Sequence, residues 1–232
     1  MKLWNNALMG RSPAKTRLYE AFAASGKALA HASRLELLDL LSQGERSVEA
    51  LARAAGLNLT TASSHLQVLK QAGFVETRRE GVKVHYRLAG DDVAELLVLL
   101  RTVADRRRAE VGAARDAYLG EPAGPGIDRE TLWSRLNDDT DDAGVVVLDV
   151  RPDEEYRAGH IPGAVSIPVD ELVERITELP GDADIVVYCR GEYCVYAHDA
   201  VRTLTADGRR AIRLNDGMIE WRLAGLPVGT RP

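Results

Sequence analysis

The sequence predicts a multi-domain chain: an N-terminal, mainly-α unit of helix-turn-helix type, then an α/β unit built on a parallel sheet. Three observations predict it. The breaker cluster Gly120-Glu121-Pro122-Ala123-Gly124-Pro125-Gly126 interrupts the chain near its middle. Before the cluster, apolar residues recur at helical spacing; beyond it, short apolar runs alternate with helical segments. Charge divides at the same place: residues 1–118 hold 18 Lys and Arg against 13 Asp and Glu, and residues 119–232 hold 12 against 22. A length of 232 residues suits two cores of ordinary size, so the expected domains are 1–118 and 127–232, joined by a linker at 119–126.

Composition narrows the class. With 45% hydrophobic and 28% charged residues, the chain has the balance of a folded globular protein. No apolar run approaches the roughly 20 residues that span a bilayer, and Met1-Lys2-Leu3-Trp4-Asn5-Asn6 lacks the apolar stretch of a signal peptide. The expectation is a cytoplasmic protein with no membrane partner. In such a reducing compartment, two closely spaced cysteines read as reactive thiols rather than as a structural staple.

The first unit opens with helices at Leu18–Ala30 and Arg34–Leu41, the second carrying Leu35, Leu37, Leu38, Leu40 and Leu41. Ser47 is placed to cap a helix over Val48–Ala55, which Gly56 ends. A helix over Leu59–Ala72 follows, with Ala62, Leu66 and Leu69 on one face and Gly73 as its stop. Two short helices about a tight turn make a helix-turn-helix. The outer face of the second carries Thr60, Thr61, Ser63, Ser64, His65, Gln67 and Lys70. Small hydroxyl and amide groups there reach base edges, although a merely solvated helix has the same composition. Residues 74–88 alternate as a strand pair around Glu80-Gly81, with Arg78, Arg79, Lys83 and Arg87 positioned to grip phosphates. A final helix is expected over Asp91–Tyr118, with an apolar stripe of Val93, Leu96, Leu97, Leu100 and Val103 that serves either the intrachain core or a second copy.

Residues 17–110 resemble the ArsR/SmtB family of winged helix-turn-helix repressors. The resemblance is carried by Ala28-Leu29-Ala30-His31-Ala32-Ser33-Arg34-Leu35-Glu36-Leu37-Leu38 and by Ser64-His65-Leu66-Gln67-Val68-Leu69-Lys70-Gln71-Ala72-Gly73-Phe74-Val75. It implies a homodimer on a palindromic DNA operator, paired through the flanking helices. Metal-sensing members place cysteines before the recognition helix, or carboxylates and histidines in the last helix. Here the first place reads Val48-Glu49-Ala50-Leu51-Ala52-Arg53 and the last helix has no histidine, so no metal and no cofactor are expected in this domain.

In the second unit Asp128 caps a helix over Arg129–Leu136. Strands are expected at Val145–Val150, Ala164–Ile167, Asp184–Tyr188 and Ala211–Leu214, with helices at Glu154–Arg157, Asp170–Leu179 and Val195–Thr205. Runs such as Val145-Val146-Val147-Leu148 are apolar on both faces, as in a parallel sheet between helices. Sites in such sheets form at the carboxyl ends of strands, and Cys189 stands at one. It opens the loop Cys189-Arg190-Gly191-Glu192-Tyr193-Cys194-Val195, ahead of a helix whose N–H groups would stabilise a thiolate. The alternative is that Cys189 fills space as a small apolar side chain.

Residues 127–229 resemble the rhodanese family. Leu148-Asp149-Val150-Arg151, the phrase Tyr156-Arg157-Ala158-Gly159-His160-Ile161-Pro162-Gly163-Ala164-Val165, and the close Gly217-Met218-Ile219-Glu220-Trp221-Arg222-Leu223-Ala224-Gly225-Leu226-Pro227-Val228 carry it; Asp216 departs from it, standing where a second glycine is common. The resemblance implies that Cys189 takes sulfane sulfur as a persulfide and that Asp149 and Arg151 form the frame behind the loop. His160 and His198 are expected to be structural.

By the same resemblance, the six-residue loop from Cys189 to Cys194 has the length that implies sulfur as its cargo. The related phosphatases have one residue more and an arginine where Val195 stands. Glu192 occupies a position where thiosulfate enzymes carry glycine, and its carboxylate repels a dianion, so thiosulfate is a poor candidate donor beside a persulfide or polysulfide. The leading expectation is a regulator, of repressor type, whose second domain senses or handles reactive sulfur from a small-molecule donor or acceptor. The alternatives are a sulfurtransferase whose DNA-binding domain regulates its own supply, and a thiol-disulfide oxidant sensor. A metal sensor on Cys189, Cys194 and His198 lacks a fourth ligand.

Overall fold

The computed structural model describes residues 12–120, 124–137 and 144–230, in two compact units. The first comprises the residues up to Leu41 with Arg46–Gly90, and the second Ser42–Glu45 with the chain from Asp91.

In the first unit α1 spans Pro13–Leu29, and Ser12 caps it by accepting from Lys15 N at 3.2 Å. It starts five residues before the expected Leu18, because Pro13 presets the first-turn dihedral and has no N–H to lose. Arg34 closes its far end, donating to the carbonyls of Ala28 and Lys27. Helix α2 is Ala32–Ser42 and α3 is Val48–Ala54, capped as expected by Ser47. Helix α4, Leu59–Gln71, starts on Asn58, whose carboxamide accepts from Thr61 N at 2.8 Å.

Strands β2 (Val75–Glu80) and β3 (Lys83–Leu88) form the hairpin, and β1 (Arg46–Ser47) adds antiparallel to β3. Two residues are too short for periodicity to reveal β1. The turn falls on Gly81-Val82, one position later than expected, because Gly81 takes φ +59.

The helix expected over Asp91–Tyr118 is two helices, α5 (Asp91–Arg107) and α6 (Ala109–Leu119), with Arg108 extended between them. Neither Gly nor Pro marks that break, so the sequence carries no signal for it. Val93 and Leu97 of the expected stripe are buried within the chain, whereas Leu96, Leu100 and Val103 stay exposed and Leu99 joins them.

The second unit is built on the parallel sheet β4-β8-β7-β5-β6: Gly126–Ile127, Arg210–Leu214, Asp184–Tyr188, Val145–Asp149 and Val165–Ser166. Helices α7 (Arg129–Leu136), α8 (Asp153–Ala158), α9 (Leu172–Arg175), α10 (Val195–Ala206) and α11 (Met218–Leu223) surround it. Helix α9 is shorter than the expected Asp170–Leu179 and passes into a 3₁₀ turn at Ile176–Glu178. Strand β4 and helix α11 were not expected as elements. Alternation along β7 sorts the core. Ile185, Val187 and Cys189 pack with Ala197, Val201 and Leu204 of α10, while Val186 and Tyr188 pack with Leu132, Met218 and Trp221 on the other face. No helix of the described residues is long and apolar enough to cross a membrane.

Leu66, fully buried at the centre of α4, tests this packing. Leu66→Ala should cost about 2–5 kcal/mol of first-unit stability in denaturant titration, whereas exposed Ser64→Ala should change it by less than about 0.5 kcal/mol.

Candidate functional site

On the first unit the polar face of α4 stands opposite its buried face. Thr60, Ser64, Gln67 and Lys70 are exposed, and Thr61, Ser63 and His65 half-buried. Three of them also bind within the unit. Gln67 donates to Tyr86 Oη at 3.0 Å and Lys70 to Thr77 Oγ1 at 2.8 Å, which ties α4 to the hairpin. His65 stacks on His31 with ring centroids 4.3 Å apart. Burial, then the neighbouring His31 and Arg34, lowers its pKa and favours a neutral ring. On the hairpin Arg78 pairs with Glu80 at 3.0 Å and Arg87 with Glu76, while Arg79 and Lys83 are exposed near its tip.

In the second unit Cys189 follows the last residue of β7, and alternation turns its side chain toward α10. Cys194 is the residue before α10, so the loop returns to the same face. The two cysteines are joined in a disulfide with Cα atoms 6.2 Å apart. Cys189 is therefore held as a disulfide sulfur rather than as the free thiolate expected from its place, and it is 1% exposed.

The loop is held from below. The carbonyls of Cys189 and Arg190 accept from Met218 N at 3.0 Å and Ile219 N at 3.4 Å, and Cys194 N donates to Gly191 O at 3.1 Å. Gly217 sits directly against this floor: a Cβ there would lie 2.2 Å from Gly191 N and 2.4 Å from the carbonyl carbon of Arg190. That approach requires glycine whatever the dihedral.

Arg190 makes a forked pair with Glu155, at 2.6 Å and 3.0 Å, and lies 5.4 Å over the Tyr196 ring. Behind the loop Asp149 and Arg151 are both fully buried and paired at 2.6 Å. Burial opposes the Arg151 charge, but the Asp149 carboxylate outweighs it and holds the guanidinium above its ordinary value. Arg151 also donates to Gly159 O at 2.7 Å and to Gln43 Oε1 at 3.1 Å. Tyr188 Oη donates to Asp149 at 2.5 Å and accepts from Ile161 N at 3.1 Å. Burial, then the Asp149 charge, pushes the Tyr188 phenol well up, so it stays a donor.

Two histidines fall into different roles. His160 stacks on Tyr156, with Nδ1 2.8 Å from Tyr156 O, and pairs through its backbone with Gly229. His198 of α10 is buried, and neither ring nitrogen has a hydrogen-bond partner among the described residues. Desolvation, then Arg213 and Arg202, lowers its pKa. Asp216, the departure from a second glycine, pairs with Arg129 at 3.2 Å and so ties the α11 approach to α7. Among the described residues no group of three or more His, Cys, Asp or Glu side chains is placed to hold a metal ion.

Sequence reasoning missed Glu155, Tyr188, Gln43 and Glu220. Glu155 stands in the triplet Asp153-Glu154-Glu155, and only the fold shows which of the three turns inward. Glu220 lies beneath Gly191, with carboxylate oxygens 3.3 Å from where a Cβ of that residue would be, and accepts from Gly217 N at 2.9 Å. Burial raises its pKa to about 7.

A parallel sheet with a cysteine loop at the carboxyl end of a central strand defines a rhodanese-like domain, and the paired helices with their β-wing define a DNA-binding one. Comparison with known proteins agrees: the rhodanese-like domain family matches residues 129–224, and a helix-turn-helix domain family matches residues 29–78. The HTH-type transcriptional regulator Rv0324 of Mycobacterium tuberculosis is 55% identical over 222 residues, 95% of this chain and 96% of its own length. A sulfurtransferase of Allochromatium vinosum is 36% identical over 102 residues, 44% of this chain and 92% of that protein. Among solved structures, the homodimeric winged helix-turn-helix DNA-binding domain of a possible ArsR-family regulator from Mycobacterium bovis matches with 53% identity and a TM-score of 0.40, over 44% of this chain and 95% of that one. The chain belongs to the family of HTH-type transcriptional regulators that join an ArsR-like helix-turn-helix domain to a C-terminal rhodanese-like domain.

Glu220 gives this site a pH signature. Its pKa stands near 7 in the fold against an ordinary 4.5, so the folded state holds the proton more tightly than the unfolded chain. Its contribution to stability is complete below 4.5 and is lost as pH rises through about 7. Glu220→Gln keeps an acceptor for Gly217 N and should remove that loss. The check is the difference in thermal midpoint between the two proteins across this range: the variant gains on the wild type as pH rises.

Proposed function

We propose that this regulator is a homodimeric repressor on palindromic operator DNA, and that its rhodanese-like domain senses reactive sulfur through Cys189. The observation that carries the reading is the disulfide between a strand-end cysteine and the cysteine preceding the next helix, within one six-residue loop. In the reduced chain the Cys189 thiolate attacks a sulfane sulfur of hydrogen disulfide, forming a Cys189 persulfide and releasing hydrosulfide. The Cys194 thiol then attacks the Cys189 sulfur of that persulfide, which closes the disulfide and releases hydrogen sulfide. Two thiols are oxidised and one sulfane sulfur is reduced to sulfide. The near-complete burial of Cys189 favours a small donor. The engagement of Arg190 by Glu155, with Glu192 exposed beside it, disfavours the thiosulfate dianion.

The DNA contacts are assigned to the exposed face of α4, with Ser64 and its neighbours at base edges, and to Arg79 and Lys83 of the wing at phosphates. Exposed Leu96, Leu99, Leu100 and Val103 give α5 an apolar surface for the second protomer.

A second reading is supported by the Allochromatium vinosum sulfurtransferase: Cys189 passes its sulfane sulfur to an acceptor, and the DNA-binding domain regulates that supply. An oxidant sensor closes the same disulfide with peroxide in place of sulfane sulfur.

Operator binding at fixed salt separates these readings. Polysulfide should change the affinity of wild type by about 5- to 150-fold, and Cys189→Ser should abolish both the response and the sulfur adduct seen by mass spectrometry. Cys194→Ala should retain the persulfide but not close the loop. An adduct that turns over to an acceptor without changing affinity would favour the enzyme, and a response to peroxide alone the oxidant sensor.

On the DNA side, Ser64→Ala should relax sequence preference. Arg79→Ala or Lys83→Ala should weaken all sequences alike and lower the salt slope by about one unit. Specific binding that ignores all three changes would remove this interface.

A further inference from the structure

Helix α5 lies within the second unit, and two routes lead to it from the cysteine loop. The first runs through α11. Its leading N–H groups, from Met218 and Ile219, hold the carbonyls of Cys189 and Arg190, and Gly217 leaves no space between loop and helix. Helix α11 packs on α5, and Arg222 Nε stands 3.5 Å from Asp91 Oδ1 at the first residue of α5. The second route starts at Cys194, the residue before α10. Helix α10 packs on α6, and Arg115 of α6 pairs with Asp105 of α5 at 2.9 Å. Loop residues Glu192 and Tyr193 lie within the field of the same charges: Glu192 acts on Arg115, and Asp105, Arg115 and Arg101 act on Tyr193.

We propose that opening and closing of the Cys189–Cys194 disulfide is relayed through α11 and α10–α6 to α5, with Gly217, Arg222–Asp91 and Arg115–Asp105 as the positioning contacts. The relay rests on the sulfur-sensing reading for its physiological input, and supplies the regulation which that reading lacks. A bond across the loop fixes the Cys189 and Cys194 ends together. Those ends are the attachment points of α11 and α10, and close packing on both sides converts a shift at the loop into a shift of the helices. Helix α5 also carries exposed Leu96, Leu99, Leu100 and Val103, so its displacement changes the surface assigned above to the second protomer.

The test uses the full chain in three states: reduced, closed with diamide, and treated with polysulfide. Each is read by mass spectrometry of the loop, amide hydrogen exchange along α5, and operator affinity. In wild type, closure by either reagent should change exchange across residues 91–107 and change affinity by about 5- to 150-fold. In the double variant Asp91→Asn with Asp105→Asn the disulfide should close as readily, but the affinity change should shrink by about fivefold or more. Closure without altered exchange in α5 of wild type would overturn the relay, as would a full affinity response in the double variant. If diamide closes the loop and α5 responds while polysulfide leaves both cysteines untouched, the relay stands and the sulfur input fails. The wild-type exchange measurement decides the matter even where the variant folds poorly.

Discussion

The cysteine loop depends on a buried ion pair two strands wide. Asp149 ends β5, Arg151 follows it, and Tyr188 reaches across from the last position of β7 to donate to the same carboxylate. One residue later the chain becomes Cys189. A fully buried pair of this kind gains little over a well-packed apolar pair, because both charges have lost their water. Its value lies in what it specifies. Arg151 holds Gly159 O and Tyr188 holds Ile161 N, so the Gly159–Ile161 segment, the end of β5 and the end of β7 are fixed to one point. Removing either partner would leave a buried charge uncompensated, at a cost of about 3–5 kcal/mol, and would release the strand end that carries the nucleophile candidate.

How much of this was legible in the sequence follows from the range of each signal. Local signals carried well. Ser47 and Asp128 cap the helices expected of them, and alternation along Asp184–Tyr188 and the spacing of Ala62, Leu66 and Leu69 give the right faces. Signals needing a partner from elsewhere did not carry. Two-residue strands such as β1 and β4 exist only because a neighbour offers a free edge, and the break at Arg108 has no residue that forces it. The expected stripe on α5 was correct as an apolar surface but split, since Val93 and Leu97 face inward and Leu96, Leu100 and Val103 outward.

The site divides along the same line. Asp149 and Arg151 were legible because they share one short phrase, and the loop from Cys189 to Val195 because it lies between an apolar strand and a helix; it is the pairing of β5 with β7 that brings the two stretches together. Glu155 and Glu220 were invisible because each is one carboxylate among ordinary helical ones until burial distinguishes it. On the DNA side the residue types were legible and their engagements were not. Gln67 and Lys70 also brace the wing, and His65 shares its ring face with His31.

Charge divides the loop into two halves with different surroundings. Arg190 is clamped by Glu155, whose side chain is fully buried, and its carbonyl is held by Ile219 N, so the first half is anchored to α8 and α11. The second half carries exposed Glu192 and half-buried Tyr193, whose phenol is pushed up by burial and then by the Glu192 and Asp105 charges. An arginine committed in this way acts as a structural clamp rather than as a receptor for a dianion. The sulfur chemistry proposed above needs no such receptor, since a persulfide sulfur carries at most one negative charge. Any rearrangement that follows the S–S bond must then pass either through the packed starts of α10 and α11 or into the Glu192–Tyr193 segment, because the Arg190 side of the loop is already bound on three sides.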